Sequence, residues 1–153
     1  MKKTYSMTKE GLRILKSELD DLLSQRKAVS DRIKTAREFG DLAENAEYSI
    51  ARQEQERHEI RIAEIENILK NVNIIIAPKN TKNVGLGSTV KLKSQSGVTK
   101  EFQVVGTVEA DPLNGKISDE SPIGKILLGK KEGEMVEIST PAETNSFKIV
   151  NIS

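Results

Sequence analysis

Arg37-Glu38-Phe39-Gly40-Asp41-Leu42-Ala43-Glu44-Asn45-Ala46-Glu47-Tyr48 carries four carboxylates and lies between two long segments of helical periodicity. Upstream, apolar residues recur at Leu12, Leu15, Leu19, Leu22, Val29, Ile33 and Ala36, with Arg26 in the one missing slot. This alternation of three and four is the seam of a coiled coil. Thr8 is a suitable N-cap, Gly11 at the third helical position leaves no full capping box, and Gly40 suits the residue that stops the helix. Downstream, a second helix is predicted from Asp41 to about Val72, with Tyr48, Ala51, Gln55, His58, Ile62, Ile65, Leu69 and Val72 on its seam. Two such helices joined by a tight turn make an antiparallel hairpin, each arm about 45 Å long. Its acidic turn then lies at a tip that no core requires.

Around Pro78 the period changes. Lys79-Asn80-Thr81-Lys82-Asn83 reads as a loop, and Gly85 and Gly87 interrupt any helix. Short alternating pairs follow: Val90/Leu92, Phe102/Val104, Val136/Ile138 and Phe147/Ile149. They predict a mostly antiparallel sheet with one apolar face. Ser121-Pro122-Ile123-Gly124-Lys125-Ile126-Leu127-Leu128-Gly129 has Ser as N-cap and Pro at the first helical position, the marks of one short helix. The expected architecture is α+β in two domains: a helical hairpin over residues 1–76 and a small sheet domain over 77–153.

Composition narrows the function. The chain has 153 residues, 31% of them charged, and a formal net charge of +1. Residues 1–75 hold fourteen basic against fourteen acidic side chains, and the remainder ten against nine. Without a global field, electrostatic recognition has to come from local patches. The absence of cysteine excludes disulfides and thiolate metal sites. No apolar run reaches the roughly 18 residues of a membrane span, so a soluble cytoplasmic protein with no membrane partner is expected.

Catalysis by the chain alone is poorly supplied. The single histidine, His58, falls on a helix seam, where packing is its simplest role, and no Ser/His/Asp set forms without it. Gly124 to Lys131 matches a phosphate loop in spacing but has Lys131 where the motif needs Ser or Thr, and its interior is apolar. Two readings of Asp41 and Glu44 stay open. As a capping box, Asp41 accepts a backbone N–H of the second helix and Glu44 reaches back. As metal ligands, the two carboxylates offer the hard oxygens that suit Mg²⁺.

Gly40-Asp41-Leu42-Ala43-Glu44-Asn45-Ala46-Glu47-Tyr48 closely resembles the bacterial transcript-cleavage factors of the GreA/GreB family. So do Met7-Thr8-Lys9-Glu10-Gly11, Val105-Gly106, Glu109-Ala110-Asp111 and Ser121-Pro122-Ile123-Gly124-Lys125. The resemblance runs through nearly the whole chain in order. It favours the GreA branch, because basic residues near the tip are few. It implies an N-terminal coiled coil and an FKBP-like C-terminal domain that docks on bacterial RNA polymerase, with Ser121, Pro122 and Ile123 as candidate contacts. The coiled coil would enter the secondary channel. Asp41 and Glu44 would there help the polymerase hold a Mg²⁺ ion that the free protein does not hold. Polymerase would then hydrolyse backtracked RNA, with Arg37 and Arg52 guiding the nascent RNA 3′ end; from the residues alone, ion pairing along the helix faces explains these arginines equally well. Such a factor stimulates the polymerase's nuclease without being an enzyme, takes no small-molecule substrate and belongs to a DNA-binding class. The related channel inhibitors carry a more acidic tip than this one.

The chain departs from the family pattern in two places. Thr140-Pro141-Ala142-Glu143-Thr144-Asn145 lacks the glycine expected in the last hairpin, and Ile126 replaces a smaller residue. A non-catalytic regulator occupying the same channel is the alternative. A prolyl isomerase is excluded by the scarcity of aromatics, since residues 76–153 offer only Phe102 and Phe147.

Overall fold

The computed structural model describes residues 2–41, 45–76 and 82–153. The chain forms two units. One is Leu12–Asn71, and the other joins Met1–Gly11 to Val72–Ser153.

In the first unit, helix α1 (Lys9–Glu38, whose first turn belongs to the other unit) and helix α2 (Ala46–Lys70) run antiparallel. Leu15, Val29, Ile33 and Ala36 are buried on α1, as are Ala51, Ile62, Ile65 and Ile68 on α2. Val29, Ile33 and Ala51 form one cluster that Tyr48 flanks. Where the seam turns polar, ion pairs span the helices. Arg26 meets Glu59 through two bonds of 2.7 and 2.8 Å, Arg61 meets Glu18 at 2.6 and 2.9 Å, and Arg32 meets Glu54 at 2.6 Å. The bond from Arg61 holds the Glu18 carboxyl below its ordinary value, and the bond from Arg26 does the same for Glu59. His58 is half-buried on the seam, as a packing residue would be, and its Nδ1 has no hydrogen-bond partner among the described residues.

The second unit holds the strands. β1 (Tyr5–Thr8) and β2 (Val72–Ile75) pair in parallel. A separate sheet has the order β5-β4-β3-β7-β6, built from β3 (Thr89–Ser94), β4 (Thr99–Val105), β5 (Lys116–Ser118), β6 (Met135–Ser139) and β7 (Thr144–Ile152). All its pairings are antiparallel except β4 with β5. The expected alternation holds: Val90, Leu92, Val104, Val136, Ile138, Phe147 and Ile149 are buried in one core, closed by Leu127 of helix α3 (Pro122–Leu127). Ser121 caps α3 by accepting from Gly124 N at 3.0 Å. Burial of Leu127 confirms that this stretch is a packing helix and no phosphate loop. In the last hairpin Thr140 supplies the turn without glycine. Its N and Oγ1 donate to Glu143 O at 2.8 and 2.9 Å, and Oγ1 accepts from Glu143 N.

The α+β organisation in a helical hairpin and a small, mostly antiparallel sheet is therefore as expected, with two corrections. Helix α2 begins at Ala46 and ends at Lys70, not at Asp41 and Val72. Asn71 caps its end, and Val-Asn-Ile-Ile beyond it is extended because β1 offers it a pairing edge. The division also differs from 1–76 and 77–153, since residues 1–11 and 72–76 belong with the sheet.

Apart from residues 40–48, the segments that carried the resemblance lie inside this second unit. A Cβ on Gly106 would lie 2.1 Å from Ser6 O, and one on Gly124 would lie 1.9 Å from Ser118 O. At Gly11 the same space is taken by the Glu109 carboxyl, 2.3 Å away. That carboxylate accepts from Thr8 N at 2.9 Å and from the Thr8 hydroxyl, while Thr8 Oγ1 accepts from Gly11 N at 3.1 Å. A capping box ordinarily draws its Glu from the third helical position. Here Gly11 stands at that position, and Glu109 supplies the carboxylate from 101 residues away.

Candidate functional site

Helix α1 ends where Phe39 N donates to Ala36 O at 3.2 Å and Gly40 N to Arg37 O at 3.4 Å. Gly40 has φ +101°, a conformation that favours glycine, and this turns the chain out of the helix. Asp41 follows and is exposed. Leu42, Ala43 and Glu44 lie outside the described residues, so the predicted pairing of Asp41 with Glu44 does too.

Asn45 ties the two helices together. Its Oδ1 accepts from Tyr48 N at 3.1 Å, which caps α2, and its Nδ2 donates at 2.7 Å to Ala36 O, a carbonyl at the end of α1 that also accepts from Phe39 N. The cap of α2 is thus Asn45, and the reading of Asp41 as that cap is overturned. Spacing alone favours Asp41 and Glu44, because two carboxylates three residues apart match a capping box. The signal for Asn45 was present: asparagine is among the best N-caps, and it stands directly before Ala46-Glu47.

The two arginines lie on the flanking helices. The Arg37 guanidinium sits over the Tyr48 ring, 6.0 Å from its centroid, and Arg52 Nη1 donates to Gln55 at 3.1 Å. Among the described residues neither forms an ion pair, although Arg32 beside them meets both Glu47 and Glu54. Helix-face ion pairing therefore does not account for Arg37 and Arg52 there. Among the described residues no three acidic or histidine side chains cluster to enclose a metal. Asp41, exposed to water, offers a hard oxygen donor of the kind that suits Mg²⁺.

Ser121, Pro122 and Ile123 belong to the other unit. Ser121 is occupied by capping and by donating to Ser118 O at 2.6 Å, and Ile123 packs against the sheet core. Pro122 alone of the three is exposed. No helix among the described residues is long and apolar enough to cross a membrane.

Two family models match the chain. Residues 5–74 match "Transcription elongation factor, N-terminal", and residues 78–153 match "Transcription elongation factor, GreA/GreB, C-term". Transcription elongation factor GreA of Clostridium kluyveri is 45% identical over 98% of this chain and 96% of its own length. That of Lactococcus lactis subsp. cremoris is 46% identical over 99% of both. Among solved structures, GreA factor homolog 1 of Thermus thermophilus is 32% identical over 99% of both chains, with a TM-score of 0.46. The chain belongs to the GreA/GreB family and is a transcription elongation factor of the GreA type.

Proposed function

We propose that this factor binds RNA polymerase through its sheet-bearing unit, inserts the helical hairpin into the secondary channel and stimulates endonucleolytic cleavage of backtracked RNA by the polymerase's own active site. The observation that carries the reading is the placement of Asp41: it is exposed just past the end of a roughly 45 Å helix, while Asn45 caps α2. Family membership supplies the polymerase as partner.

Asp41 and Glu44 would contribute carboxylate oxygens to a Mg²⁺ shared with the polymerase, which has the other ligands. When bound there, the ion lowers the pKa of its water and stabilises charge on the reacting phosphate. Arg37 and Arg52 would hold phosphates of the RNA 3′ segment, a task for which the guanidinium fork is suited. Packing on the Tyr48 ring limits the freedom of Arg37 before RNA arrives. The chain itself performs no hydrolysis, so free protein incubated with RNA and Mg²⁺ should leave the RNA intact.

The test uses stalled elongation complexes. Asp41→Asn and Glu44→Gln each remove one negative ligand, and cleavage should fall by orders of magnitude while polymerase binding persists. Parent-like cleavage by both variants would instead favour a non-catalytic regulator of the same channel.

A further inference from the structure

Phe39 is 81% exposed at the turn where α1 ends. The chain has only five aromatic side chains, three Phe and two Tyr, so one placed in solvent is notable. Its backbone is nevertheless held, since its N–H bonds to Ala36 O and Gly40 turns the chain immediately after it. The other aromatic of this region, Tyr48, packs against Val29, Ile33 and Ala51 and carries Arg37 over its ring. Tyr48 serves the helix seam, whereas Phe39 joins no buried cluster among the described residues.

We infer that Phe39 is a positioning residue that stacks on a nucleobase of the RNA segment next to the scissile phosphate, an inference that rests on the proposed function. Phe39 lies two residues from both Arg37 and Asp41, so its Cα is at most about 7 Å from each by chain geometry. Phe39 thus stands in the chain between the residue proposed to hold phosphate and the residue proposed to approach the reacting end. Aromatic faces accept any base, which suits a factor that meets RNA of arbitrary sequence. An apolar protein surface is the competing occupant. The interleaving of cation, aromatic and carboxylate within five residues fits a polyanion with flat bases better.

The experiment compares the parent with Phe39→Ala, Phe39→Leu, Phe39→Tyr and Asp41→Asn in stalled elongation complexes. The readouts are the cleavage rate at saturating factor and the half-saturating factor concentration. Stacking predicts that Phe39→Ala and Phe39→Leu lower the saturating rate about tenfold with half-saturation unchanged, while Phe39→Tyr restores it. An abasic nucleotide at the RNA 3′ segment should make parent and Phe39→Ala equal. Parent-like cleavage by Phe39→Ala, or by Phe39→Leu, overturns stacking. A loss expressed only as weaker half-saturation overturns it in favour of a protein contact. Because Asp41→Asn reports the carboxylate role alone, its inactivity beside an unaffected Phe39→Ala overturns stacking and leaves the proposed function standing.

Discussion

Asn45 uses both ends of its amide at the tip, accepting through Oδ1 and donating through Nδ2. Alanine removes the Tyr48 cap and leaves Ala36 O without its 2.7 Å donor, so Asn45→Ala should cost about 1–2 kcal/mol in denaturant unfolding. Asn45→Asp keeps the acceptor and gains from the helix dipole, but it sets a carboxylate against the Ala36 carbonyl and should fall between parent and alanine. Asp41→Asn is exposed and outside the cap, and its stability should stay within about 0.5 kcal/mol of the parent. A larger loss at Asp41 than at Asn45 would return the cap to Asp41. The glycines at 106 and 124 obey a different residue-scale rule, because each faces a backbone carbonyl that cannot rotate away. Gly11 faces a side chain, yet that side chain is the carboxylate capping Thr8, so even there a Cβ disturbs the two bonds that Glu109 accepts from Thr8.

At the scale of the element, the helical hairpin has an apolar seam at both ends and a charged middle. Leu22 is only half-buried, Arg26 replaces an apolar slot, and Gln55 and His58 face the gap on α2. Exposed pairs such as Arg26–Glu59 contribute little each. The bidentate Arg61–Glu18 bond is better shielded, and its carboxyl is held below the ordinary value. A depressed carboxyl stabilises the fold above its unfolded pKa of about 4.3 and loses that contribution as pH falls through the folded value. Thermal stability of the helical unit should therefore be level from neutral pH to about 5 and decline below about 4.3. Glu18→Gln should flatten that decline, as followed by helical circular dichroism across pH. An unchanged acid limb in Glu18→Gln would show that the pair does not govern it.

At the scale of the molecule, the sheet unit is completed by residues from both ends of the helical segment. β1 pairs with β2 from Tyr5↔Val72 to Thr8↔Ile75, Gly106 meets Ser6, and Glu109 caps Thr8. A fragment of residues 78–153 lacks both strands and leaves Gly106 and Glu109 without partners. It should melt well below a fusion in which residues 2–11 are joined to 72–153 through a flexible linker of about eight residues, enough to span the paired strands. Equal melting of the two would mean that the β1–β2 pair is not part of the folding unit.

The sequence by itself determined the elements whose signal is local. Three-four spacing gave the hairpin, two-residue alternation gave β3, β4, β6 and β7, and Ser121-Pro122 gave α3, because each side-chain period maps directly onto a buried face. It also brought Arg37 and Asp41 to the same turn, though the Glu44 half of the acidic pair lies outside the described residues. Only the tertiary structure decided what depends on distant partners. Tyr5–Thr8 and Val72–Ile75 are too short to declare a period and become strands by pairing with each other across the helical segment. The three residues of β5 are fixed by β4 in the same way. Glu109 became a capping residue only when the fold brought it to Gly11, and Asn45 outranked Asp41 only when Ala36 O stood within reach of its amide. Spacing along a chain records which face a residue shares with its neighbours, while hydrogen bonds across 9 or 101 residues are set by where packing places the two ends.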